Sequence, residues 1–172
     1  MKVNVSMMFR AMTVCGLLSI AAAASGQELQ MSTNDLTTRA DVVVVGKVAK
    51  IQSAWTSDKT RIVTNVSLAV DQQLKGEGTG SMLTLVTLGG EVDGVGEWYS
   101  HSARFKQGEE VVVFAKKDMN GRYRVSGGAQ GKLPVSRDQE KGIALVAGQR
   151  TLEEFSASVR KAVGIQQAPT EN

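Results

Sequence analysis

Four consecutive valines, Val42 to Val45, constrain the fold of this chain more than any other feature. β-Branched residues favour strands, and an unbroken apolar run predicts a strand that is buried on both faces at that end. The strand begins at Asp41 and runs toward Ile51. Gly46, which interrupts it, predicts a bulge or a close approach of another backbone.

Four further strand-like runs follow. Residues 62–70 alternate between apolar and polar, which is the pattern of a half-buried antiparallel strand. The other three runs cover 82–88, 111–115 and 122–126. A turn at 118–121 joins the last two, because its Asn-Gly pair tolerates positive φ angles.

Helices are predicted at both ends of this set of strands. Ser32 and Asp35 have the spacing of a capping box and predict a short helix to Ala40. Thr151 and Glu154 form a second such pair. An apolar stripe follows at helical spacing, ended by Gly164, and we expect it to cover one opening or face of the sheet. The stripe consists of Leu152, Phe155, Val159 and Val163.

These elements predict a mainly β fold. Five short strands with glycine at the corners and helical cover match a small five-stranded barrel of the oligonucleotide/oligosaccharide-binding (OB) type, with a short N-terminal helix and a C-terminal capping helix. A β-sandwich is the alternative.

The N-terminus has the pattern of a secretory signal peptide at 1–26. A basic start is followed by an apolar run at 11–24 that ends in small residues. The run is short for a transmembrane span, although an uncleaved anchor is the alternative. We therefore expect a secreted or periplasmic protein with a single domain at 27–165 and a disordered tail at 166–172.

Removal of this segment changes the chemistry of the chain. Cys15 is the only cysteine, so the exported chain is expected to be free of disulfides, zinc-thiolate sites and cysteine nucleophiles. Lys2 and Arg10 account for two of the 20 basic residues, which leaves 18 against 17 acidic ones. A near-neutral balance argues against a nucleic-acid partner.

Residues 88–99, LGGEVDGVGEWY, form a glycine-rich acidic loop between two strands. The loop is too long for a minimal hairpin turn, and long loops in small β domains are where function usually lies. We expect it, continued to residue 104, to be a contact surface. The candidate contact residues are Trp55, Glu91, Asp93, Glu97, Trp98, Tyr99, His101 and Arg104.

The segments RADVVVVGKV, LVTLGGEVDGVG, ARFKQGEEVVVFA and YRVSGGAQGKLPV occur in this order between Leu36 and Val135. This order resembles a family of secreted bacterial domains of unknown function, which occur alone or near matrixin-type metalloproteases. The resemblance implies no catalytic residues.

Residues 40–43 are also similar to the first barrel strand of netrin-like OB barrels, which include the tissue inhibitors of metalloproteases. Those inhibitors chelate zinc through an N-terminal cysteine, and the exported chain is expected to have none. The similarity therefore implies the fold and not the inhibitory mechanism.

Two kinds of site are weighed on the loop. Glu91, Asp93 and Glu97 are weak candidates for a calcium site, because small residues between acids let carboxylates converge; the alternative is a solvated acidic loop. Trp98 and Tyr99, with Trp55, are candidates for a contact patch, because aromatic side chains anchor interfaces and stack on sugars. The favoured alternative is that these aromatics close the barrel core.

Catalysis is the least supported hypothesis. Ser100, His101 and Ser102 are sequence neighbours, and His101 is the only histidine. No motif of a hydrolase or a zinc protease surrounds them. We therefore expect a non-catalytic binding domain without a cofactor, with a secreted protein, such as a protease, as its partner. The alternatives are a cell-envelope carbohydrate-binding module and a calcium-dependent structural domain.

Overall fold

A computed structural model describes residues 30–138, 140 and 142–167. The predicted signal peptide with Cys15 and residues 168–172 lie outside the described residues. Among the described residues, no helix is both long and apolar enough to cross a bilayer. The elements in chain order are α1 (Thr33–Arg39), β1 (Val42–Trp55), β2 (Ile62–Lys75), β3 (Met82–Leu88), β4 (Gly90–Val92), β5 (Val95–Glu97), β6 (Glu110–Lys117), β7 (Tyr123–Val125), a 3-10 helix (Gly128–Gly131), β8 (Lys132–Asp138), β9 (Ile143–Val146), β10 (Arg150–Thr151) and α2 (Leu152–Gln167).

Five strands close into a barrel in the order β1-β2-β3-β7-β6, and β6 pairs back onto β1. All pairs in the barrel are antiparallel except β3–β7, which is parallel and meets at Leu85 and Tyr123. The five predicted strands are these five barrel strands. The prediction of an OB-like barrel with two helices is therefore confirmed, and the sandwich alternative is wrong.

The valine run lies between two apolar layers, as predicted. Val42 and Val44 point into the barrel, where they pack against side chains of β2, β3 and β6. Val43 and Val45 point outward and pack under the two helices. All four side chains are buried. A strand in this position needs apolar residues at every position, which is why its sequence does not alternate.

The two helices pack against the outer face of the barrel. Ser32 and Asp35 make the predicted capping box of α1. In α2, Phe155 is buried and packs edge-to-face against Phe114 of β6, with ring centroids 6.2 Å apart. The prediction that α2 ends at Gly164 is wrong, because the helix continues to Gln167. An exposed glycine lowers helix propensity without ending a helix that is packed on its other side.

Two further features of the sheet are the close approach at Gly46 and an extension beyond the barrel. The β1–β2 register shifts at Gly46, and a Cβ atom there would lie 2.3 Å from the carbonyl oxygen of Ala69, so the predicted close approach is confirmed. Beyond the barrel, β8, β9 and β10 extend the sheet from β6. This extension was not predicted from the sequence.

Candidate functional site

The glycine-rich loop folds into a small hairpin of β4 and β5, Gly90–Glu97, called the acidic hairpin below. Its turn is Asp93-Gly94, with φ angles of 51° and 79°. Positive φ at both positions is the geometry that favours Asp-Gly in two-residue hairpins. The loop is thus not a minimal turn between two barrel strands, as expected, but it contains a two-residue hairpin turn that was not predicted. The Asp-Gly pair between Val92 and Val95 was the signal for this turn.

Two glycines let the acidic hairpin lie directly on β1 and β2. The amide of Gly89 donates to the carbonyl oxygen of Ile62 at 2.8 Å, and Thr64 Oγ1 donates to the carbonyl oxygen of Gly89 at 2.6 Å. A Cβ atom on Gly90 would lie 2.3 Å from Thr64 Oγ1 and 2.4 Å from Ser53 Oγ. The backbone of the hairpin therefore packs where no larger residue fits.

Glu97 fixes the far end of the acidic hairpin. Its carboxylate accepts the amide of Ile62 at 2.5 Å and the hydroxyl of Tyr99 at 2.5 Å. These hydrogen bonds hold the pKa of Glu97 below its usual value, and they raise the pKa of Tyr99 because its proton is shared with a carboxylate. One carboxylate oxygen thus ties the hairpin to the start of β2, and the other binds the tyrosine that follows the hairpin.

The three acids of the hairpin are not brought together. Glu91 and Asp93 are exposed, whereas Glu97 is half-buried and hydrogen-bonded. Within the described ranges, no group of three or more His, Cys, Asp or Glu side chains is arranged to hold a metal ion. Asp93 instead adopts the positive φ angle that the turn requires.

An apolar cleft of about 170 Å³ lies between the acidic hairpin and the barrel. Its apolar lining includes Ile51, Val66, Leu88 and Phe105, and its hydroxyl groups include those of Ser53 and Thr64. Glu91, Trp98, Tyr99 and Arg104, all named by the sequence analysis, also line this cleft. The cleft thus combines an apolar interior with charged and aromatic edges.

Trp98 and Arg104 form the rim of this cleft. Trp98 is 58% exposed, and the guanidinium carbon of Arg104 lies 4.7 Å from the centroid of its ring. A Cβ atom on Gly96 would lie 3.1 Å from Trp98 Nε1, so the indole lies close against the backbone of β5. The pair is a cation–π contact that holds both side chains in place while leaving them accessible.

The exposed tryptophans correct one expectation. Trp55 is 37% exposed at the end of β1, and Trp98 is more exposed still, so neither closes the barrel core. Only Tyr99 is half-buried. The core is aliphatic, with Phe114 and Phe155 on its helical side. The aromatic side chains are thus left at the surface around the acidic hairpin.

His101 lies on the other side of the segment that follows Trp98. It is exposed and lines a second depression of about 340 Å³ between β3 and β7. Its carbonyl oxygen accepts the amide of Ala129 at 2.9 Å. The hydroxyl of Ser102 donates to the carbonyl oxygen of Leu88 at 3.0 Å. The hydroxyl of Ser102 therefore holds this segment against β3. Because the segment lines both depressions, their shape depends on this contact.

Four of the eight contact residues predicted from the sequence line the cleft, whereas Ser53 and Thr64, whose hydroxyl groups also line it, were not predicted. Thr64 occupies an inward position of the alternating β2 strand, where its neighbours are Ile62 and Val66. A polar residue in that register was the available signal. Asp93 and Trp55 do not line the cleft.

A scan of the sequence against protein-family models gives no match, and a search of curated proteins finds none that is similar. The resemblance to secreted bacterial domains and to netrin-like barrels therefore stays a prediction.

Proposed function

We propose that this protein is an exported, non-catalytic binding module that contacts a partner protein through the rim formed by Trp98 and Arg104. The observation that carries the proposal is an exposed tryptophan, stacked with an arginine and fixed at the edge of an apolar cleft. Tryptophan and arginine are the residues most enriched among the energetic centres of protein interfaces.

The contacts that hold the acidic hairpin in place support this proposal. Glu97 and the Gly89-Gly90 segment fix the backbone before binding, so little conformational entropy is lost when a partner docks. The cleft beside the rim is of a size for one apolar side chain of the partner, which would bury its apolar lining. Arg104 would supply a positive charge at the edge of that contact.

The sequence supports export and suggests the class of partner. Residues 1–26 carry the signal-peptide pattern, and the resemblance to domains near matrixin-type proteases makes a secreted protease the first partner to test. Because the OB fold hosts many unrelated functions, this suggestion rests on the resemblance and the rim rather than on the fold.

Partner capture from culture supernatant tests the proposal. We expect a retained protein whose recovery falls at least tenfold with Trp98→Ala and with Arg104→Ala. Met82→Ala is the matched control, because Met82 is an exposed apolar residue at the other end of the barrel. A photo-cross-linking residue at Glu91 should give an adduct that one at Met82 does not.

Two results would contradict the proposal. Equal recovery by the wild-type protein and Trp98→Ala would remove the rim from the interface. A hydrolase activity that survives purification and is lost in His101→Ala would show that the protein is an enzyme.

Carbohydrate binding is the second candidate, because Trp55 and Trp98 are both exposed. Sugars stack on open aromatic faces, and Arg104 occupies one face of Trp98, which favours the protein partner. Retention on cell-envelope glycans that is lost in both Trp55→Ala and Trp98→Ala, with unchanged folding, would favour the carbohydrate instead.

A further inference from the structure

The opposite end of the barrel carries a hairpin of different character. It comprises the end of β6, a turn and the start of β7, residues Lys116–Arg124, and is called the basic hairpin below. All its residues lie in the described part of the chain. It carries one acidic residue, Asp118, and four basic ones: Lys116, Lys117, Arg122 and Arg124.

The basic hairpin places positive charges opposite each other, which weakens the pairing of its two strands. Lys116 stands directly opposite Arg124 in the strand register, and like charges opposite each other destabilise a strand pair. Arg122 and Arg124 share the carboxylate of Asp118, each with a nitrogen–oxygen distance of 3.1 Å. One carboxylate cannot neutralise four cations, so the hairpin retains a surplus of positive charge.

The turn of the basic hairpin, residues 118–121, carries one large apolar side chain among polar ones. Met119 is fully exposed at the turn, between the basic side chains of the two strands. Other charges at this end are mixed: Arg39 and Lys75 are basic, whereas Asp41 and Glu77 are acidic. Asp41 lies close to the hairpin, because its carboxylate accepts the amide of Lys117 at 2.8 Å. The basic hairpin remains the most positive feature of this end.

An exposed apolar side chain between basic ones has the physical requirements for binding the surface of an anionic membrane. Lysine and arginine are attracted to anionic headgroups, while an apolar side chain enters the interfacial layer. We propose that the basic hairpin binds membranes that contain anionic lipids, with Met119 entering the interface and the four basic side chains contacting headgroups.

This mode of binding would orient the molecule. The start of β1 pairs with the end of β6 at the basic hairpin, whereas the acidic hairpin lies over the far end of β1. Glu91 and Asp93 are exposed there, and an anionic surface repels them. The cleft and its rim would therefore face away from the membrane, accessible to a partner.

Cosedimentation with lipid vesicles tests this proposal, with a chain that begins at Gln27 and keeps every described residue. The vesicles are phosphatidylcholine alone and an equal mixture of phosphatidylcholine and phosphatidylglycerol. We expect binding to the mixed vesicles only, weakened by salt. Lys116→Gln combined with Lys117→Gln should lower partitioning roughly 25-fold, because each basic residue near an anionic surface contributes about fivefold.

The matched control combines Lys50→Gln with Lys106→Gln. It makes the same change in net charge away from the basic hairpin, and it should bind mixed vesicles like the wild-type protein. Met119→Ser should lower partitioning about tenfold without changing competition by soluble polyphosphate. Thermal unfolding of each variant verifies that it is folded.

Three outcomes would overturn the proposal. They are equal binding to both kinds of vesicle, equal losses in the test and control pairs, and a silent Met119→Ser variant whose vesicle binding is abolished by polyphosphate. The last outcome would mean that the hairpin responds to negative charge alone, from any polyanion, and that Met119 does not enter the membrane interface.

Discussion

The acidic and basic hairpins occupy opposite ends of one barrel and are held in place by different means. Both turns contain an aspartate and a glycine. The acidic hairpin lies outside the barrel and is fixed by contacts with β1 and β2, which are distant in sequence. The basic hairpin continues a buried barrel strand, and Asp118 fixes its turn by local hydrogen bonds.

The two hairpins therefore differ in what a substitution within them would change. The location of Trp98 depends on a few specific contacts between the acidic hairpin and β2, so a change there moves the candidate site. The location of Met119 depends on β6, whose side chains from Val111 to Ala115 are buried in the barrel and under the helices. A change at the basic turn should therefore alter charge and local order and leave the barrel intact.

The largest effect is expected from Gly90→Ala. The added methyl group would meet two hydroxyl oxygens at under 2.5 Å, and the residue has a φ of 137°. Overpacking and positive φ together should lower the free energy of unfolding by about 3 kcal/mol. Gly94→Ala is the matched control, with a φ of 79° and no atom near the new methyl group, and should cost only about 1 kcal/mol.

Urea unfolding of both glycine variants measures this difference. Equal losses would mean that the acidic hairpin does not pack tightly on Thr64 and Ser53. A Gly90→Ala variant that also loses partner binding more than Gly94→Ala would show that the packing positions the rim.

The separation of contacting residues along the chain also explains which features could be predicted from the sequence and which could not. The five strands, the valine run, both capping boxes and the approach at Gly46 follow from patterns within a few residues, and all were predicted. The hydrogen bond between Glu97 and the amide of Ile62 joins residues 35 apart. No local pattern reports such a contact, so the place of the acidic hairpin over β1 and β2 was not predictable.

The exposure of the tryptophans was mispredicted for a related reason. Hydrophobicity favours burial of an aromatic side chain, but the barrel interior is already filled by aliphatic side chains of β1, β2, β3 and β6. The remaining space depends on how the strands close, which the composition does not reveal. The turn at Asp93-Gly94 is different, because its signal was local and was overlooked.

The next effect is expected from Glu97→Gln. Hydrogen bonds to the carboxylate hold the pKa of Glu97 in the folded protein below the usual 4.5. Its contribution to stability is therefore complete above that value and is lost as the pH falls through the folded pKa. The variant should be less stable than the wild-type protein at neutral pH, and the difference should narrow in acid.

Urea midpoints at a series of pH values measure this narrowing. Glu91→Gln is the control, since Glu91 is exposed in the same hairpin, and it should change stability little at any pH. If the difference in stability between Glu97→Gln and the wild-type protein stayed constant from neutral to acid pH, the stabilisation would not depend on the charge of Glu97.

Asp118→Asn makes the corresponding change at the basic hairpin. The amides of Arg122 and Asn120 and the side chains of both arginines lower the pKa of Asp118 from 3.8 to about 2. A lowered folded pKa stabilises the protein above 3.8, and this contribution disappears as the pH falls toward 2. The variant should therefore be destabilised at pH 7 and should match the wild-type protein at the acid limit.

Asp93→Asn compares the two turns directly. Asparagine tolerates positive φ as well as aspartate does, so this variant should unfold like the wild-type protein at each pH where Asp118→Asn is compared. If Asp93→Asn and Asp118→Asn behaved alike, the two turns would not differ in how they are held.

The smallest changes in stability are expected at the two exposed side chains that the proposals depend on. Trp98→Ala removes the stacking with Arg104 and should cost about 1 kcal/mol or less. Met119→Ser removes a fully exposed side chain and should stay within about 0.5 kcal/mol. Urea unfolding measures both. A loss of several kcal/mol in Trp98→Ala would make the indole part of the framework, and reduced partner binding by that variant would then reflect a displaced hairpin. Small losses at both positions leave each side chain available for contact, so that binding at either end can be removed while the barrel stays folded.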